Sequence, residues 1–189
     1  MEDGLVREIL KDARERMDKA VEALRSDLAS LRSGRASPAL VERLPVDYYG
    51  TPVPLMQLAA ITTPEPRVIM IRPFDPNSMA MIEKAIMKSD LGVNPSNDGQ
   101  VIRIVLPPLT EERRRELVRL VHKRVEEARI AVRNIRRDAI ADLRDLEKEK
   151  MISEDEYHRL VERVEDITKE HIETINQLGE QKEKEILEV

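Results

Sequence analysis

The densest chemistry in the chain is the run ARIAVRNIRRDA, Ala128 to Ala139, which places Arg129, Arg133, Arg136 and Arg137 close together. On a helix turning about 100° per residue, Arg115, Arg119 and His122 join these four on one side, and only Glu126 interrupts them. A planar guanidinium grips a phosphate through two parallel N–H bonds and stacks on bases, so a long row of arginines suits contact with RNA phosphates. The plain alternative is a solvated helix face whose cations pair with neighbours such as Glu126. The length of the row and its use of Arg in preference to Lys favour phosphate contact. A second cationic group, LRSGRASPALV from Leu31 to Val41, sets Arg32 and Arg35 on either side of Gly34. Helix termination accounts for Gly34 and Pro38, and cations are favourable at the negative end of a helix dipole, but this explains the two arginines only in part.

Other chemistries lack their residues. There is no cysteine, hence no disulfide, thiolate nucleophile or thiolate ligand. His122, His158 and His171 are far apart and without the spacing of metal ligands, and no glycine-rich loop could cradle a nucleotide. Neither a catalytic site, a metal site nor a cofactor is expected, so the chain reads as non-enzymatic. The opening MEDGLVREIL is acidic where a signal or transit peptide would be basic, and no apolar run nears the roughly 20 residues that cross a bilayer. The expectation is a cytoplasmic protein with no membrane association. Its formal net charge of −5 argues against nucleic acid only until the charges are placed. Arg113 to Arg137 holds ten Lys/Arg and three Glu, or +7, whereas Ser153 to Val189 holds five Lys/Arg and twelve Asp/Glu, or −7. One basic and one acidic face are hidden in the total.

Long elements are needed to carry such faces. Between Glu2 and Leu31, Val6, Ile9, Ala13, Met17, Ala20, Leu24 and Leu28 recur at three- and four-residue steps and predict an amphipathic helix. Eight prolines from Pro38 to Pro76 then exclude continuous helix. Strand-like runs lie at Val46 to Tyr49, Gln57 to Thr62, Arg67 to Ile71 and Val101 to Val105, with a helix starting at Asp75-Pro76 and ending before Gly92. After Pro107-Pro108, Thr110 caps a second long helix whose apolar positions, Val118 through Leu146, keep near-heptad spacing. Ser153 and Glu156 form a capping box opening a third, lined by Tyr157, Leu160, Val164, Ile167, Ile175 and Leu178. Three such stripes are buried together in a three-helix bundle. The predicted fold is α+β: a long bundle from residues 1–34 and 108–189, with a small α/β domain, 35–107, inserted. Two strands of chain carrying Gly34, Ser37 and Pro38, and Pro107 and Pro108, would form the hinge.

Five segments, RMDKAVEALRSDLASLRSGRASP at Arg16 to Pro38, YYGTPVPLMQLA at Tyr48 to Ala59, EKAIMKSDLGVNP at Glu83 to Pro95, PPLTEERR at Pro107 to Arg114, and ARIAVRNIRRDA, closely resemble bacterial ribosome recycling factors. They follow in the family's order over nearly the whole chain. The resemblance implies an L-shaped two-domain protein that binds large-subunit ribosomal RNA near the subunit interface and, with elongation factor G and GTP hydrolysis by that factor, splits the post-termination ribosome and releases mRNA and tRNA. The family's RNA-contacting arginines correspond to Arg32, Arg35, Arg129 and Arg133, with Arg136 and Arg137 extending the row, and its glycine at the bundle end to Gly34. Ser33 stands where many members have threonine. A monomer is expected. The competing reading is a helical scaffold or chaperone, whose binding would be insensitive to salt where phosphate contact is not.

Overall fold

The computed structural model describes residues 4–31 and 33–188. Contacts divide the chain into Met1–Leu28 with Val118–Lys184, and Ala29–Leu117 with Glu185–Val189.

The first unit is built from three helices, α1 (Gly4–Ala29), α3 (Glu111–Lys148) and α4 (Glu154–Leu187). Every pair of them is tied by side chains: Arg16 to Asp138 at 3.1 Å joins α1 to α3, Arg14 to Glu170 at 3.4 Å joins α1 to α4, and Arg129 to Asn176 joins α3 to α4. Both predicted caps form. The Arg113 amide donates to Thr110 Oγ1 at 3.1 Å, and the Glu156 amide to Ser153 Oγ at 3.1 Å, each satisfying a donor the helix leaves orphaned. At the other end of α3, Lys150 takes φ +58, with Lys150 N bonded to Glu147 O and Met151 N to Leu146 O, so the helix closes in a Schellman motif on a lysine where glycine is usual.

Burial corrects the expected stripes. In α1 the buried positions are Val6, Leu10, Ala13, Met17, Val21, Leu24 and Leu28, so Leu10 and Val21 displace Ile9 and Ala20, which sit half-buried at its edge. In α3, Leu117 is buried in place of Val118, and Leu143 adds to the stripe. In α3 the buried Val125, Val132, Ala139 and Leu146 keep the expected seven-residue step, while an eleven-residue recurrence runs through all three helices, as in Val6/Met17/Leu28, Val121/Val132/Leu143 and Leu160/His171/Lys182. Eleven residues in three turns is about 3.67 per turn, close to the 3.6 of a straight helix, so each stripe runs nearly along its axis. Three of the positions so buried in α4 are polar. Thr168 Oγ1 donates to Val164 O at 2.8 Å, and His171 sets Nδ1 2.7 Å from Ile167 O and Nε2 2.6 Å from the Asp18 carboxylate of α1; Lys182 is the third. Gly179 is buried as well, and a Cβ there would lie 2.7 Å from Val125 Cγ2, so α3 and α4 approach closely at this point.

The second unit begins with a hairpin, β1 (Pro45–Tyr48) and β2 (Thr51–Pro54), closed by Tyr49 (φ +50) and Gly50 (φ +89). Left-handed conformation at both central residues suits the twist of a two-residue hairpin, and the Gly50 amide donating to Asp47 Oδ1 at 2.9 Å holds a tyrosine where asparagine is usual. A four-stranded antiparallel sheet follows, β3 (Ala59–Glu65), β4 (Val68–Pro73), β5 (Ser96–Asn97) and β6 (Ile102–Val105), in the order β3-β4-β6-β5. β3 runs past Pro64, beyond the predicted end at Thr62. It is an edge strand, and its register breaks between Thr62 and Glu65, so a proline without N–H costs no ladder bond there. β5, two exposed residues long, has no apolar alternation and was not foreseeable. Asp75 and Pro76 begin a single 3₁₀ turn, Pro76–Ser78, and α2 proper spans Met79–Lys88. Its Ile82 and Ile86 bury fully against Ile69, Ile71, Ile102 and Ile104 of the sheet.

Candidate nucleic-acid interface

The stripe of α3 forms, and its two edges differ. The edge toward α4 consists of His122, Arg129 and Arg136, one every seven residues. His122 Nε2 lies 3.1 Å from Glu183 Oε2, Arg129 donates to Asn176 Oδ1 at 2.6 and 2.9 Å, and Arg136 stands 3.7 Å from Glu165 Oε2. Partner numbers fall along α4 as they rise along α3, so the helices are antiparallel and the basic row borders the acidic helix. The outer edge holds Arg115, Arg119, Arg133 and Arg137. Among the arginines, those toward α4 are the less exposed: 31% and 30% for the Arg129 and Arg136 side chains, against 45% for Arg133 and 69% for Arg115, while His122 on the same edge is 62% exposed.

Glu126, the single acidic member of the row, is shared. Its Oε2 accepts from Arg129 Nη1 at 3.0 Å and its Oε1 lies 3.6 Å from Arg133 Nη1. The solvated-face pairing therefore exists, but one carboxylate serves two guanidiniums and the trio keeps one positive charge. Half-exposed pairs of this kind contribute about 0–1 kcal/mol, so they tie up the cations of the row only weakly. Toward the far end of the row, Arg136, Arg137 and Arg144 with Glu165 line a shallow depression of about 240 Å³. Arg144, which donates to the Tyr157 hydroxyl at 3.4 Å, was not singled out from the sequence, although it continues the row seven residues beyond Arg137. Asn176 was missed for a better reason: an isolated asparagine on an acidic helix carries no periodic signal.

Of the second cationic group, Arg32 lies outside the described residues. Arg35 is exposed, and Gly34, at φ +87, adopts a backbone conformation that side chains other than glycine rarely take. A Cβ at Gly34 would meet Leu109 Cδ1 at 3.5 Å, ordinary contact, so conformation rather than space requires glycine here. The same distance brings the two connecting segments side by side. On one, Ser37 Oγ accepts from Ala39 N at 3.3 Å, capping a 3₁₀ turn that Pro38 opens. On the other, Pro107 and Pro108 are exposed between β6 and α3. Among the described residues, no group of His, Cys, Asp or Glu is placed to hold a metal, and no helix is long and apolar enough to cross a membrane.

Residues 24–187 match the family profile described as Ribosome recycling factor. The ribosome-recycling factors of Thermomicrobium roseum and Syntrophomonas wolfei are 55% and 57% identical to this chain over 185 residues, covering 98% of it and 100% of each relative. Among solved structures, a solution structure of a ribosome recycling factor aligns over 100% of both chains with a TM-score of 0.81 and 49% identity. Another, the T. thermophilus ribosome recycling factor with E. coli elongation factor G on the E. coli post-termination complex, aligns over 97% of this chain and 99% of that one, with a TM-score of 0.70 and 49% identity. On this likeness over its whole length, the chain belongs to the ribosome recycling factor family.

Proposed function

We propose that this chain docks on large-subunit ribosomal RNA near the subunit interface through Arg129, Arg133, Arg136 and Arg137 on the bundle and Arg32 and Arg35 at its end. The chain functions in ribosome recycling: it binds the post-termination ribosome and, together with elongation factor G, promotes its separation into subunits. In this reading it contributes no catalysis; GTP hydrolysis belongs to elongation factor G, and the setting is the cytoplasm. A single polypeptide suffices.

The docking surface is supported above all by the α3 row, in which six arginines, Arg115, Arg119, Arg129, Arg133, Arg136 and Arg137, share one side of the helix with a single glutamate, Glu126, among them. Force applied by elongation factor G to the α/β domain, 35–107, would pass through the segments Gly34 to Pro38 and Pro107 to Pro108 acting as a hinge. A helix of 38 residues, about 57 Å, transmits that force to the RNA contacts in place of absorbing it by bending.

Light scattering tests the function. Post-termination ribosomes, the chain, elongation factor G and GTP should give subunit dissociation, and omission of any one should abolish it. For the docking surface, Arg133→Ala should weaken ribosome binding at physiological salt and lower the log–log salt slope by about one. Wild-type affinity in that variant would remove Arg133 from the interface.

A further inference from the structure

Arg129 is held unlike any other cation of α3. Its Nε and Nη2 both donate to Asn176 Oδ1, at 2.9 and 2.6 Å, and its Nη1 donates to Glu126 Oε2 at 3.0 Å. A guanidinium has five N–H bonds in one plane, so three engaged leave two. The grip falls on the Nε–Nη2 edge, which fixes both the plane of the group and its direction. Its side chain stays 31% exposed, so the group is held at the surface and not buried.

The chemistry of the grip matters as much as its geometry. Along the α4 side of the row, His122 faces the carboxylate of Glu183 and Arg136 faces that of Glu165. Between them, Arg129 faces an amide. A carboxylate would orient the guanidinium equally well, but it would also cancel its charge and compete with an incoming phosphate. An amide oxygen orients without neutralising.

We propose that Asn176 is a positioning residue for RNA docking: it locks Arg129 so that its free N–H bonds can take a phosphate, while leaving the charge that attracts that phosphate uncompensated from α4. This rests on the docking role given to Arg129 above. A side chain fixed before binding has less rotamer freedom to lose when it binds, so the lock strengthens binding by about three- to tenfold.

The experiment measures affinity of the full-length chain for purified ribosomes across a series of monovalent salt concentrations, for wild type, Arg129→Ala, Asn176→Ala, Asn176→Asp and the double variant Arg129→Ala with Asn176→Ala. Arg129→Ala should weaken binding and reduce the salt slope by about one. Asn176→Ala should weaken binding about three- to tenfold with the slope unchanged, because no charge is lost. Asn176→Asp should weaken binding and lower the slope as well, since its carboxylate opposes the charge of Arg129. In the Arg129→Ala background, Asn176→Ala should have no further effect. Wild-type affinity in Asn176→Ala, with Arg129→Ala impaired, overturns the positioning role and leaves docking intact. An Asn176→Ala defect that persists without Arg129 overturns it too, because the residue would then act through the fold. Wild-type affinity in Arg129→Ala overturns the docking reading itself, and the inference with it.

Discussion

The α/β unit and the helical unit bury their apolar residues in different geometries. At the centre of the α/β unit, Ile69, Ile71, Ile82, Ile86, Ile102 and Ile104 are all 0% exposed and converge from a helix and two strands of one sheet. In the helical unit the core is a line. Fully buried Met17, Val121 and Val132 share it with small alanines such as Ala13, Ala128 and Ala139 and with the polar Thr168, His171 and Lys182. A thin core leaves much surface per residue, and that surface can be patterned. Residues 113–137 of α3 carry +7, whereas residues 35–107 hold seven Lys/Arg and seven Asp/Glu, a balance of zero. The unit with the weaker claim to a deep core is thus the one able to present a continuous row of cations.

The contrast can be broken by experiment. The largest effect should come from Ile104→Ala, for which a cavity in a rigid, converging core predicts a loss of about 2–5 kcal/mol in chemical denaturation. Met17→Ala in the helical unit removes a side chain of similar size, yet half-buried neighbours can close over the gap, so its cost should fall at the lower end of that range. Equal costs would show that the two cores are equally unyielding.

Gly179→Ala comes next. In an exposed helix the change stabilises by about 1 kcal/mol. Here the new methyl must enter the van der Waals radius of Val125 Cγ2, on a β-branched side chain with little freedom to turn, and overpacking costs about 1–3 kcal/mol. The net should be a loss of about 1 kcal/mol and a fall of a few degrees in thermal midpoint. A rise would show that the helices can separate without penalty.

The smallest effect is local to the α/β unit. Hydrogen bonds from the Val101 and Gln100 amides hold the Asp98 carboxyl below its ordinary value of 3.8. Because the folded group is the stronger acid, its contribution is complete above about 3.8 and fades as pH falls through the lower folded value. The protection of the Gln100 and Val101 amides, measured against their intrinsic exchange rates, should fall over that acid window. Asp98→Asn, which accepts but does not titrate, should abolish this dependence without touching the helical unit.

How much of this was legible follows the same division. Helix existence, the Thr110 and Ser153 caps and the arginine row could be read because each is a local pattern. The inward face was read a residue astray at Ile9 and Ala20, since three- and four-residue steps describe both a seven- and an eleven-residue recurrence, and only packing chooses between them. The short strand β5 and the run of β3 through Pro64 depend on which strand lies at an edge, a property of the assembled sheet. Asn176 is likewise invisible until α3 and α4 are set side by side, whereas the Glu126 pairing, lying within one helix, could be read from spacing. The family resemblance pointed to Arg129 and Arg133, but not to the residues that hold them.

The eleven-residue recurrence also limits how this chain can change. Eleven residues advance a helix by about 16 Å and return the same side to the core, whereas inserting or deleting one residue turns everything beyond it by about 100°. Length in the helical unit is therefore quantised. Drift by single residues is penalised, and a longer or shorter descendant needs a whole module gained or lost in three helices together, so the reach of the bundle is inherited as a digital quantity.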